Sequence, residues 1–113
     1  MPPEWGFSFL ISHSSFLIEV VVIGLLQVEI HYPEAQSLKE KRFVLSSLLD
    51  RMRRQFNVSA AEVEDRDLWQ KSVLAVAHVN TDRSHADSTL SKVVEFLESE
   101  PRAQVTGVQT EYL

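Results

Sequence analysis

The sequence predicts a two-layer α+β domain with element order β-α-β-β-α-β. Two observations carry that prediction. Four apolar stretches of strand length alternate or run in β-branched residues between polar turns. Two longer segments repeat apolar residues at helical spacing, one between the first two stretches and one between the last two.

Residues 20–32, "VVVIGLLQVEIHY", read as the first strand. Val22, Leu26, Val28 and Ile30 fall on one face, with Gln27, Glu29 and His31 on the other. Pro33 ends it, because proline offers no amide to the ladder. The first helix runs from Leu38 to about Phe56, with an apolar stripe of Leu38, Leu45, Leu48, Leu49, Met52 and Phe56. Ser37 and Glu40 have the spacing of a capping box, in which Ser37 accepts from the Glu40 amide and Glu40 reaches back to the Ser37 amide. "VSAAEVED" (58–65) is a second strand and "SVLAVAHVN" (72–80) a third. "SHADSTLSKVVEFLESE" (84–100) is the second helix, with Ala86, Leu90, Val93, Val94 and Leu97 inward. Asp82 or Ser84 caps its start and Pro101 marks its end. "AQVTGVQTEYL" is the last strand.

This order is that of the ferredoxin-like split β-α-β arrangement. Right-handed crossovers then put both helices on one face of an antiparallel sheet of strand order 4-1-3-2. The first helix start, "SLKEKR" (37–42), and the turn "EDRDLWQKS" (64–72) come to one pole beside His31 and Tyr32.

At 113 residues, with no internal repeat, low-complexity tract or linker, residues 20–113 form one domain. A formal charge of −5 argues against a general nucleic-acid coat but leaves room for local patches. The chain has no Cys, which excludes disulfide scaffolding, thiol catalysis and Cys-based zinc sites and fits a cytoplasmic location.

"FSFLISHSSFLIEVVVIGLL" (7–26) is apolar-rich, but it contains His13, Glu19 and several serines, and no Lys or Arg flanks it. It fits neither a membrane span nor a signal peptide. Residues 1–19 are expected to be an extension, from a start assigned too far upstream or as an extra edge strand. N-terminal sequencing of the native protein decides: a mature chain beginning at Met1 excludes the upstream-start reading.

The first helix holds six of the eleven Lys and Arg residues against only Glu40 and Asp50. Helical angles set Lys39, Arg42 and Arg53 along one flank and Arg51 and Arg54 on the outer faces. Lys41 falls near the buried edge, where its stem is expected to snorkel. This stripe is either a solvated face neutralising acidic neighbours or a phosphate-contacting surface. In the turn, Trp69 either folds over the open end of the core or offers an aromatic anchor, with Arg66 and Lys71 beside it.

His31 and His78 lie on adjacent central strands, but pairing sets them seven residues apart, roughly 23 Å at about 3.3 Å per residue. They cannot share a metal within one subunit, and a His78–His85–Asp82 site is weaker than Asp82 as a helix cap. His31 is a candidate because it shares the basic pole. Glu29, Glu62 and Glu64 are expected to face out on the open sheet surface, too exposed for paired acid–base work. No phosphate-cradling glycine loop, nucleophile elbow or zinc-protease motif occurs. No catalytic residue, metal or cofactor is expected. Leu25, Leu74 and Val76 are expected on the open sheet face, where they favour self-association.

With these residues placed, the chain resembles the YlxP family, also called DUF503, of small bacterial proteins. The resemblance covers residues 20–113. It rests on "SLKEKR" following His31 and Pro33, on "FNVSAAEV", on "LWQ", on "NTDR" and on "KVVEFLE". It implies a ferredoxin-like fold. The biochemical role of the family is not established, and it defines no catalytic residues to carry over. Genes of the family often stand beside those of a translation initiation factor and a ribosome-maturation factor, which points to RNA or ribosome work.

The expectation is therefore a non-enzymatic module associated with ribosomal RNA or the ribosome. It would act through Lys39, Arg42, Arg53, Arg54, Arg66 and Trp69, with His31 and Lys71 as further candidates and no membrane partner. The competing expectation is an interaction or regulatory homodimer using the open sheet face.

Overall fold

The computed structural model describes residues 20–113, so the expectation for residues 1–19 lies outside the described residues. The elements are β1 (Val22–His31), α1 (Leu38–Gln55), β2 (Ser59–Glu64), β3 (Lys71–Asn80), α2 (Arg83–Glu98) and β4 (Gln104–Tyr112). They form a single four-stranded sheet of order β2-β3-β1-β4, with every pair antiparallel. This is the predicted order 4-1-3-2 read from the other side. Both helices pack on one face, α1 over β2 and α2 over β1, β3 and β4.

The core is the inner face of β1 and β3 against the two helix stripes. Leu26, Val28 and Ile30 from β1 meet Leu74 and Val76 from β3, Leu45, Leu48 and Met52 from α1, and Leu90, Val93 and Leu97 from α2. Each of these side chains is buried, and full burial of a large apolar side chain is worth about 1.5–3 kcal/mol. Ser37 caps α1 by accepting the Glu40 amide at 3.1 Å. The reciprocal bond differs by one residue from the capping box: the Glu40 carboxylate accepts from the Gln36 amide at 2.5 Å, not from Ser37. Asp82 caps α2 by accepting the His85 amide at 3.1 Å.

Three further expectations are overturned. Leu74 and Val76 are not on the open sheet face. In the register Val28↔Leu74 and Leu26↔Val76, they share the helix-covered side with buried β1 partners. Leu25, Val73, Ala75, Ala77 and Val79 project the other way. The run "SVLAVAHVN" is apolar on both parities, so only the pairing register decides its faces.

Glu62 does not face out with Glu64. The β2–β3 register shifts between Glu62 and Glu64, and that extra residue flips the parity of the strand. Glu62 turns under α1 and Glu64 stays on the open side.

Lys41 does not snorkel. It is fully buried, with Nζ 2.7 Å from Glu62 Oε2 and donating to the Asp65 carbonyl at 2.7 Å. Glu62 Oε2 has no well-directed hydrogen bond, so the ammonium is the charge that balances it. Removing one partner of such a pair strands a charge in the interior, at about 3–5 kcal/mol. Lys41→Met should lower the urea unfolding free energy by about that much. The Lys41→Met/Glu62→Leu double variant should recover most of the loss. Equal stability of the single variant and the parent would contradict the pair's role.

Candidate nucleic-acid interface

The pole where α1 begins is assembled by backbone and buried polar groups. The Tyr32 amide donates to the Gln70 carbonyl at 2.8 Å, and Gln70 Nε2 donates to the Ala35 carbonyl at 3.1 Å. Asp65 sits at φ 61°, a left-handed conformation that Asp tolerates better than most residues. Its carbonyl accepts both Lys41 Nζ and the Leu68 amide. The turn from Asp65 to Gln70 is thus pinned to β1 and α1, while the side chains of Arg66, Leu68 and Trp69 point away. Trp69 does not close the core: it is 47% exposed, and Leu68 and Arg66 beside it are also exposed.

Tyr32 and Ser72 form a second buried polar contact, with their hydroxyl oxygens 2.7 Å apart. Burial pushes the Tyr32 phenol up to about 12; the Ser72 hydrogen bond opposes this and the Glu62 charge adds to it. A group so far from neutrality is not poised for acid–base chemistry, although Tyr32 borders a groove of about 620 Å³. The groove is lined with both signs of charge, Glu34 and Glu40 against Lys39 and Arg102.

The outer face of α1 is different in kind. Lys39 and Lys41 lie about 200° apart around the helix, so one points to solvent while the other is buried. Lys39, Arg42 and Arg54 are exposed and make no hydrogen bond or ion pair with the described residues. Between them stands Phe43, 71% exposed. Lys39, Arg42, Phe43 and Arg54 border one shallow trough of about 580 Å³ with Ser46, Ser47, Asp50 and Arg51.

The remaining α1 cations are engaged by the fold. Arg53 Nη2 donates to the Ala60 carbonyl at 2.6 Å, and its other terminal nitrogen lies 3.9 Å from Asp50. Arg51 Nη2 donates to Glu100 Oε1 at 2.9 Å and its guanidinium lies 5.4 Å from the Phe96 ring centroid. Arg102 reaches the same Glu100 oxygen at 2.5 Å. Lys71 lies between Glu29 at 3.5 Å and Asp65 at 3.4 Å, and the Glu29 charge, then Asp65, hold its ammonium above the usual range.

His31 pairs with Lys71 across the open face, and His78 pairs with Gly24, as the register argument required. His78 is buried. Its Nδ1 lies 2.8 Å from the Asn57 carbonyl, which calls for a proton on that nitrogen, and Nε2 lies 3.2 Å from Asn80 Nδ2. Both ring nitrogens are therefore committed to structure. Among the described residues no three His, Cys, Asp or Glu side chains gather as a metal-binding group, and no helix is long and apolar enough to cross a membrane.

The structure thus separates the predicted site residues. Lys39, Arg42 and Arg54 share the open side of α1. Arg66 and Trp69 project from the turn that Lys41 holds on the buried side. Arg53, Lys71 and His31 lie elsewhere. Phe43 was not among the sequence candidates, yet a signal existed: it follows Lys39 by one helical turn and lies outside the apolar stripe.

The family described as "Protein of unknown function (DUF503)" matches residues 23–110. The chain belongs to the DUF503 family. It is 36% identical over 91 residues to a Bacillus subtilis (strain 168) protein named "Uncharacterized protein YlxP", covering 80% of this chain and 99% of that relative. Among solved structures it is similar to a de novo designed protein with a ferredoxin fold. That likeness has a TM-score of 0.48 at 18% identity, over 79% of this chain and 86% of the other.

The Arg51–Glu100–Arg102 cluster joins α1 to the segment after α2. The Arg102 hydrogen bond, with Arg51 adding, holds the Glu100 carboxyl below its ordinary 4.5. A lowered folded pKa gives stability that is complete above the unfolded value and lost as pH falls through the folded one. The stability gap between the parent and Arg102→Ala should therefore be present at neutral pH and shrink on acidification well below 4.5. Urea titrations at the two pH values measure it, and a pH-independent gap would show that the pair is not its source.

Proposed function

We propose that this DUF503 protein is a non-enzymatic module that associates with RNA, ribosomal RNA being the expected class, through the outer face of α1. The observation that carries the reading is the exposed Phe43 ring standing among Lys39, Arg42 and Arg54, cations with no partner among the described residues. Unpaired surface cations offer phosphate contacts, and an exposed ring among them offers a plane for an unstacked base. The net charge of −5 makes this local, since the rest of the surface repels a polyanion. Trp69 with Arg66 offers a second, smaller pairing of ring and cation on the turn.

The test is the salt dependence of binding to a structured ribosomal RNA fragment, followed by fluorescence anisotropy. Lys39→Gln with Arg42→Gln should flatten the log–log salt slope by about 1.5, two phosphate contacts at about 0.7–0.9 each. Phe43→Ser should instead weaken binding at every salt concentration by about 1–3 kcal/mol, with the slope unchanged. No binding of the parent at low salt removes the reading.

A further inference from the structure

The two edges of the sheet are built differently. β2 is six residues long, its register shifts at Glu62/Glu64, and the Arg53 guanidinium occupies the Ala60 carbonyl. These are devices that block strand addition. β4 is nine residues long, "QVTGVQTEY", rich in Val and Thr, with no Pro or Lys and with Glu111 as its one charge. Such an edge is open to pairing.

The backbone direction follows from one bond. The Leu113 amide donates to the Ile23 carbonyl at 2.9 Å, so residues of that parity, Gly107, Gln109 and Glu111, turn their polar groups to β1. Val108, Thr110 and Tyr112 therefore present their N–H and C=O groups to the free edge. A second observation concerns the helix layer. Val108 pairs with buried Val28 and so faces the helices, yet it is 49% exposed. Between α2 and β4 runs a groove of about 440 Å³, floored by Leu26, Leu90, Val94 and Val108. The helices stop short of this edge.

We propose that β4 pairs antiparallel with β4 of a second copy about a two-fold axis at Thr110, making one continuous sheet. That register opposes Thr110 to itself and Val108 to Tyr112, so each outward-facing residue exchanges both backbone bonds. On the open face it sets the Glu111 carboxylate opposite the Gln109 amide, a donor for its acceptor. On the helix face it sets Tyr112, whose ring lies beneath the Arg83 guanidinium with its hydroxyl donating to Asp87, opposite the exposed valine, an aromatic and β-branched cross-strand pair. The strand thus meets its own chemistry with no like charges opposed, and beside it Arg83 and Asp87 already pair with each other at 3.7 Å, which leaves Glu111 as the unbalanced charge of this edge. The interface is the edge and not the open face, which carries Gln27, Glu29, Lys71, Gln109 and Glu111. Because α1 lies over β2, the dimer leaves both basic α1 faces free at the far ends of the sheet, independent of the RNA reading.

Light scattering of the full chain at micromolar concentration should give twice the 12.9 kDa chain mass. Thr110→Pro deletes an amide that no bond among the described residues uses, and should give a folded monomer. Val108→Lys should do the same by placing a charge on the edge. Ala61→Lys, on β2 and the open face, should leave the dimer intact. A monomeric parent overturns the proposal, as does a dimer that survives both Thr110→Pro and Val108→Lys. A monomer whose Val108, Thr110 and Tyr112 amides resist hydrogen exchange also overturns it, by showing that the edge is covered from within the chain.

Discussion

A single buried ammonium organises the end of the domain where α1 begins. Lys41 Nζ is shared between the Glu62 carboxylate and the Asp65 carbonyl. Those two contacts join α1, the bulged β2 strand and the β2–β3 turn at one point. The interior tolerates the charges because each is balanced within hydrogen-bonding distance; alone, either would be expelled or neutralised. The pair also sets the rotation of α1. With Lys41 held inward, helical geometry turns Lys39, Arg42 and Phe43 to solvent. The bulge between Glu62 and Glu64 lies just beyond this pair: Glu62, in step with Ala60, stays under α1, and the extra residue returns Glu64 to the open face.

Around that point the protein divides its charges by task. Arg51 and Arg102 converge on Glu100, Arg53 lies on the edge of β2, and Lys71 bridges Glu29 and Asp65. What is left over is a small, unbalanced set on one helix face around an exposed ring. Cations that a fold does not use, in an acidic chain, mark a surface better than a count of basic residues does. The β4 edge is a second surplus of the same kind. Its outward amides and carbonyls meet no strand among the described residues, as the free α1 cations meet no carboxylate among them, and the two lie on opposite flanks of the domain.

The element order, the helix stripes and the strand pairing follow from periodicity and turn chemistry, which are local. Ser37 and Asp82 as helix caps are local as well. The separation of His31 from His78 needed only the strand order and the rise per residue, and the register bears it out. The faces of β3 were not legible, because "SVLAVAHVN" is apolar on both parities. Glu62 and Glu64 were expected to share a face, and a bulge that leaves no signature in "SAAEVE" parts them. The fate of each arginine was also hidden. Arg51, Arg53 and Arg54 are near neighbours in sequence, yet the first meets Glu100, the second Ala60, and the third meets no described residue.

The sequence by itself determined the fold, the caps, the pole at which helix and turn meet, and the concentration of cations on one helix. All of these depend on spacing along the chain. Only the tertiary structure decided which of those cations are already spoken for. It alone showed that Lys41 is interior, that Phe43 is exposed and that β4 is an edge strand of the sheet among the described residues. Those facts depend on which distant groups arrive within a few ångströms, and residues as far apart as Arg51 and Glu100 or Lys41 and Asp65 are brought together by packing, not by sequence.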